Sequence, residues 1–233
     1  MSPQESQLGR DEPFKDTARV LSRYVQGLIV RTFAQSSLEE LAAYSSVPVI
    51  NALSDKFHPC QVLSDLLTIQ EQTPEFSRLK LAWVGDGNNM AHSWLNAACY
   101  LPFYLHLATP QGFGPDEVIL EQALQAGAKV TVDHDPVQAV QDSDYIHTDV
   151  WASMGQEEQK QARNEAFARF QLNQDLLAHA PDRARVMHCL PAKRGQEITA
   201  EVLEGERSIV WDQAENRLHM QKAILQWAVG ELQ

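Results

Sequence analysis

Arg185-Val186-Met187-His188-Cys189-Leu190-Pro191-Ala192-Lys193-Arg194-Gly195 is the stretch on which the reading of the fold turns. Val186 and Met187 form a short apolar run of strand character that ends on a His-Cys pair. Pro191 then forbids further ladder pairing, and a basic Lys-Arg-Gly loop follows. The thiol of Cys189 therefore stands at the carboxyl end of a strand, where open α/β sheets bind their ligands. A cysteine packed as a small hydrophobe explains the tetrapeptide equally well. Polar clusters at equivalent positions elsewhere in the chain favour the functional reading.

Outward from that strand, apolar runs and helical periodicities alternate. Before it, strands are expected at 79–84, 104–108, 129–132 and 145–148, and after it at 208–210. Helices are expected at about 89–100, 115–126, 136–141, 157–179, 200–204 and 215–232. Strand and helix in turn at this spacing imply a parallel, doubly wound sheet covered on both faces. A shorter βαβα half precedes it. Its first helix is capped by Asp16 or Thr17, carries Ala18, Val20, Leu21 and Tyr24 on its apolar face, and is stopped by Gly27. A buried strand over Leu28–Val30 follows, then a helix capped by Ser36-Ser37, a strand at 47–51, and a helix from Phe57-His58-Pro59-Cys60-Gln61 to about Gln72. Pro74 marks a hinge. The fold class expected is α/β, with two doubly wound parallel-sheet domains of which the first is incomplete. The domains are 1–73 and 78–214, with the terminal helix 215–233 packing back on the first.

The 233 residues are 44% hydrophobic and 21% charged, which describes an ordinary soluble chain. A net charge of -12 opposes nucleic acid or an anionic membrane as partner, so an anionic substrate needs a local basic site. Three separated cysteines (Cys60, Cys99, Cys189) suggest neither a disulfide framework nor a structural zinc site. With no signal peptide and no membrane-length apolar run, the cytoplasm is the expected location.

Trp83-Val84-Gly85-Asp86-Gly87-Asn88-Asn89-Met90 opens like a dinucleotide fingerprint, but Met90 replaces the third glycine. The next strand end (Leu107-Ala108-Thr109) offers no acid for a ribose hydroxyl, which opposes a nicotinamide oxidoreductase. Asn88 and Asn89 either cap the helix or present a polar start to a ligand carboxylate. In Asp149-Val150-Trp151-Ala152-Ser153-Met154-Gly155, Asp149 is placed to hold an ammonium group, and Ser153 either caps the following helix or touches ligand. His58 and Gln61, three apart at a helix start, can share one side and polarise a carbonyl as oxyanion donors. His58 and Cys60 lack a third ligand nearby, so no metal is expected. Arg31 and Arg217 stand where each can contact phosphate, although taken singly each reads more readily as a surface charge than as a ligand.

These residues together resemble the aspartate/ornithine carbamoyltransferase family. The resemblance runs over essentially the whole chain: Lys15–Arg23, Phe57–Gln61, Gly85–Asn89, Asp149–Gly155 and His188-Cys189-Leu190-Pro191. The Ser-Met-Gly and His-Cys-Leu-Pro elements point to its ornithine branch. The resemblance implies transfer of the carbamoyl group of carbamoyl phosphate to the side-chain amine of L-ornithine, giving L-citrulline and phosphate, as a step of arginine metabolism. It assigns Arg31, His58, Gln61, Cys189, Leu190 and Arg217 to carbamoyl phosphate and Asn89, Asp149, Ser153 and Met154 to ornithine. Cys189, Asp149 and His58 would be catalytic. No metal or organic cofactor is implied, and a homotrimer is the expected assembly.

One departure stands beside these matches. The family's Ser-Thr-Arg-Thr phosphate-binding motif is absent from the sequence, and Met1 falls where family members are well into the first domain. The expectation is therefore a weakened phosphate grip, an uncovered sheet edge and little activity for these residues alone. The alternative to an enzyme is a truncated, catalytically impaired paralogue that keeps only amino-acid binding.

Overall fold

The computed structural model describes residues 12–152 and 160–230. Two parallel sheets organise it. The first pairs β1 (Leu28–Arg31) with β2 (Val49–Leu53). Helix α1 (Phe14–Leu21) precedes them, α2 (Gln35–Tyr44) connects them and α3 (Pro59–Gln72) follows. The second contains β3 (Lys80–Val84), β4 (Tyr104–Ala108), β5 (Lys129–Asp133), β6 (Tyr145–Thr148) and β7 (Arg185–His188) in the order β5-β4-β3-β6-β7. Its helices are α4 (Asn89–Ala98), α5 (Glu117–Gln125), α6 (Pro136–Val140), α7 (Lys160–Phe167), α8 (Gln174–Leu177) and α9 (Ala200–Leu203). The long α10 (Val210–Ala228) closes the described chain.

The strand order explains where a ligand can sit. From β3 the chain winds outward through β4 and β5, then returns to the other side of β3 for β6 and β7. A crevice opens where the winding reverses, outside the carboxyl ends of β3 and β6. Strands β3, β6 and β7 are buried on both faces, successive side chains pointing opposite ways, whereas Tyr104 of β4 and Lys129 and Thr131 of the edge strand β5 are exposed. Leu81 and Trp83 join Leu105, Leu107 and Met187 in one core, which receives Val62, Leu66 and Ile69 of α3. Ala82 and Val84 join Ile146 and Val186 in the other, under α6, α8 and α9. The smaller sheet is far less covered: Ile29 is 62% and Phe33 59% exposed.

Several expectations change. Residues 208–210 form no strand; Ser208 makes one isolated bridge with Val186, and Val210 already begins α10. The single helix expected over 157–179 is broken, since α7 runs into a tight turn at 168–170 and Leu172 then bridges to Ile198 before α8 starts. Asn173 caps α8 by accepting from the Leu176 amide, which is the local reason for a fresh start. Helix α1 begins at Phe14 rather than after Asp16 or Thr17, and it ends at Leu21, so Tyr24 is exposed. Helix α2 begins at Gln35, ahead of the expected Ser36-Ser37 cap. The strand expected at 47–51 is shifted to Val49–Leu53.

Helix α10 lies against α3 through polar contacts. Gln213 Nε2 donates to Asp65 Oδ1 (2.7 Å), and Asn216 Nδ2 donates to Thr68 Oγ1 (3.1 Å) and Glu71 Oε2 (2.7 Å). Among the described residues no helix is long and apolar enough to cross a membrane.

Candidate active site

The turn from β3 to α4 is shaped by two glycines. Gly85 has φ +147°, a conformation side chains rarely adopt. Gly87 is required by space: a Cβ there would lie 2.2 Å from the Gly114 carbonyl carbon and 2.3 Å from the Pro115 nitrogen. Its amide donates to the Phe113 carbonyl (2.8 Å). The volume a pyrophosphate would need over this glycine is thus filled by the 113–115 backbone, which disposes of the dinucleotide reading.

Asn88, rather than Asn89, caps α4. Its Oδ1 accepts from the amides of Met90 (2.9 Å) and Ala91 (3.3 Å), while its Nδ2 donates to Asp149 Oδ2 (3.2 Å). Asn89 Nδ2 donates to the Ser54 carbonyl (2.9 Å), fastening the turn to the loop after β2. Asp149 follows β6 directly and is half-buried.

Parallel register places Thr148 opposite His188, so Asp149 and Cys189 emerge side by side from β6 and β7. Ligand atoms of Asp149, His188 and Cys189 lie within 4.8 Å of one another. They do not make a metal site, because both His188 nitrogens are engaged. Nδ1 accepts the Leu190 amide (2.8 Å) and Nε2 pairs with buried Glu197 (3.1 Å). These contacts fix the neutral Nε2–H tautomer and hold Leu190 in a left-handed conformation (φ 52°), an uncommon state for a branched residue that such support must maintain. Burial pushes the Cys189 thiol well up and the Asp149 charge adds to it, so the sulfur is a neutral donor toward Asp149.

Across the crevice, His58 precedes Pro59, which opens α3 at a position where a missing amide hydrogen costs nothing. The His58 amide donates to Ser93 Oγ on α4 (2.7 Å), so its position depends on the larger sheet's helix. Burial, then the charges of Arg217 and Arg31, lower its pKa to about 4, leaving a neutral imidazole whose Nδ1 has no partner. Arg217 is half-buried on α10 and Arg31 is exposed at the end of β1. Gln61 departs from its expected role. Its Nε2 donates to Asp65 Oδ1 (2.8 Å), and its Oε1 is the buried atom without a partner. The carboxamide thus offers an acceptor rather than a second oxyanion donor.

Ser153 and Met154 lie outside the described residues. The segment leading to them is anchored by a residue that sequence reasoning missed. Arg163 of α7 pairs with Asp86, donates to the Trp151 carbonyl, and lies over the rings of Phe113 (4.8 Å) and Phe167 (5.2 Å). Burial raises Asp86 to about 6, Arg163 opposing and Asp149 adding to the rise. An isolated arginine far along the chain gives no sequence signal for this contact. Asp65, Ser93 and Gln213 were missed for the same reason.

The basic side around His58 and the acidic side at Asp149 and Cys189 share a neighbourhood at buried Asp65. Arg217 acts on both His58 and Asp65, and Asp65 adds to the rise of Cys189. Cations that suit a phosphate on one side and a carboxylate that suits an ammonium on the other fit a two-substrate group transferase. The family comparisons agree. Residues 1–71 match the carbamoyl-P binding domain, and residues 77–228 the Asp/Orn binding domain, of aspartate/ornithine carbamoyltransferase. The chain is 58% identical over 229 residues to the ornithine carbamoyltransferase of Oleidesulfovibrio alaskensis, covering 98% of this chain and 76% of that one. Its fold is similar to solved ornithine carbamoyltransferases from Pyrococcus furiosus (TM-score 0.93, 48% identity, 99% of this chain and 75% of that one) and Campylobacter jejuni (TM-score 0.93, 38% identity, 98% and 77%). The chain belongs to the aspartate/ornithine carbamoyltransferase family.

Proposed function

We propose that this protein transfers the carbamoyl group of carbamoyl phosphate to the side-chain amine of L-ornithine, forming L-citrulline and phosphate. The observation that carries this reading is the pairing of the two sides just described, in a chain whose relatives of 57–58% identity are named ornithine carbamoyltransferase. That identity extends over nearly the whole chain, so a paralogue reduced to amino-acid binding is not favoured.

In this reading Arg31 and Arg217 hold the phosphate and offset its charge as it leaves. His58, neutral at pH 7, donates one N–H to the carbamoyl oxygen. Gln61 Oε1 accepts from the carbamoyl amino group, which fixes which face of the carbonyl is presented. Leu190, held in its left-handed turn, bounds the same pocket with Cys189. Asn89 and Asp149 hold ornithine, joined by Ser153 and Met154. A lysine-like amine is protonated at neutral pH, so one proton must leave before attack. Asp149 is the acceptor, with the Cys189 thiol hydrogen-bonded beside it. The amine lone pair then forms the new C–N bond, the C–O bond to phosphate breaks, the departing phosphate takes the second proton from the amine nitrogen, and holding both substrates together lowers the entropic barrier.

Residues 1–73 form the carbamoyl-phosphate half and 78–214 the ornithine half in this reading, and the protein assembles as a cytoplasmic homotrimer. Competition among acceptors tests the assignment. With carbamoyl phosphate fixed, ornithine should be carbamoylated at least about 100-fold more efficiently than lysine or aspartate, because a pocket built around one ammonium position leaves other acceptors' charges unpaired. Aspartate as the better acceptor would assign the chain to the other branch.

A further inference from the structure

The mechanism leaves one wholly buried carboxyl group unused. Asp65 sits in the middle of α3 with no exposed surface. Its Oδ1 accepts from two carboxamides, Gln61 Nε2 (2.8 Å) within α3 and Gln213 Nε2 (2.7 Å) from α10. Gln213 passes the connection on, since its Oε1 accepts the His188 amide (2.9 Å) at the end of β7. His147 of β6 lies 3.7 Å from Oδ2 but cannot donate through the facing nitrogen, because Nδ1 already accepts from Trp94 Nε1 (3.0 Å). Arg217 of α10 and Asp149 after β6 act on the carboxyl only through their fields.

A hydrogen-bonded chain therefore runs from Gln61 through Asp65 and Gln213 to the backbone next to Cys189. Its direction is set by chemistry. Burial pushes the Asp65 carboxyl up to about 7, against the bonds from Gln213 and Gln61, and any proton it takes belongs on Oδ2, which has no partner; Oδ1 still only accepts, so both glutamines turn their NH2 groups inward. Gln61 is left with its oxygen free, and Gln213 with its oxygen on His188. An apolar residue at 65 would avoid burying a carboxyl whose Oδ2 has no hydrogen-bond partner, which is costly. It would also leave two buried carboxamides free to flip.

We propose that Asp65 is a positioning residue for carbamoyl transfer: one carboxylate oxygen orients Gln61 toward the carbamoyl amino group and, through Gln213, sets the His188–Cys189 corner on the opposite wall. The inference rests on the carbamoyl-transfer reading above and adds a residue that touches neither substrate.

The test compares the full protein with D65N, Q61A, the D65N/Q61A double variant and Q213L, measuring kcat and KM for each substrate and the melting temperature. Side-chain carboxamide signals are followed in 1H–15N spectra. The asparagine of D65N is nearly isosteric but can present an NH2 where an acceptor is needed, so kcat/KM for carbamoyl phosphate should fall about 30-fold or more while KM for ornithine moves less than about threefold. In the Q61A background the same substitution should cost at least about threefold less than in the full protein, because one of the two groups it orients is gone and only the Gln213 arm remains. The Gln61 and Gln213 carboxamide signals should shift together in D65N. Equal cost of D65N with and without Gln61 would overturn the proposal, as would unchanged carboxamide signals. Should D65N fail to fold, Q213L decides: it leaves Gln61 and Asp65 paired and should lower kcat, and full kcat in Q213L overturns the proposal. If the unsubstituted protein makes no citrulline, the carbamoyl-transfer reading fails by itself. The carboxamide signals then decide between a fixed and a free Gln61.

Discussion

Replacing Gly87 by alanine tests whether the β3–α4 turn is held by contact with the 113–115 segment. The new Cβ would stand 2.2 Å from the Gly114 carbonyl carbon, 2.3 Å from the Pro115 nitrogen and 2.4 Å from the Gly114 oxygen. All three are backbone atoms, so no rotamer change relieves the overlap, and the two segments must part by about 1 Å to reach ordinary contact. Parting breaks the Gly87 amide bond to Phe113 (2.8 Å) and draws Asn88 from Asp149 (3.2 Å). Overpacking and one lost hydrogen bond together cost about 3 kcal/mol. A shift of this size in the turn that holds Asp149 lowers kcat/KM for ornithine about 100-fold. Urea unfolding and steady-state kinetics read the two effects. Gly112→Ala is the control: its φ of +83° makes alanine strained but nothing lies within 4 Å, so it costs about 1–2 kcal/mol and leaves kinetics unchanged. A G87A protein within about 0.5 kcal/mol of the parent, with unaltered kinetics, would refute the reasoning.

Arg163→Met strands Asp86 as a buried carboxylate and should destabilise by about 3–5 kcal/mol, with D86N in the same chain recovering most of it; additive losses in chemical denaturation would show that the pair is not coupled. His58 should titrate by NMR near pH 4, and adding phosphate should raise that value by offsetting Arg217 and Arg31. Because its folded pKa lies below the ordinary 6.5, its contribution to stability is complete above 6.5 and is lost as pH falls from there through about 4. A free-protein value at or above 6.5 would contradict this. Asp149→Asn should lower kcat/KM for ornithine about 100-fold or more while the carbamoyl phosphate Kd, measured by calorimetry, moves less than about threefold. Equal weakening of both substrates would place Asp149 elsewhere in the mechanism.

How much of this was legible depended on whether the cause was local. Strand and helix alternation predicted the five parallel strands because their apolar residues feed the two cores, and the Gly-Asp-Gly-Asn-Asn turn marked where β3 ends and α4 begins. The strand expected at 208–210 failed because an apolar triplet reads alike as strand or helix start. Val210 is in fact the first buried residue of α10. Asn88 and Asn89 could not be told apart by composition; the capping and Asp149 contacts of Asn88, against the Ser54 contact of Asn89, distinguish them. Gln61 was placed at the crevice, yet its orientation depends on Asp65, whose other partner Gln213 is 148 residues away in the chain. No periodicity carries such a pairing.

Following 13C-labelled carbamoyl phosphate by NMR, with ornithine and the protein purified from its source, tests the carbamoyl-transfer assignment most directly. The label should pass into citrulline one-for-one with released phosphate, only when ornithine is present. Ornithine binding without any labelled citrulline would contradict it and leave an amino-acid-binding protein in its place.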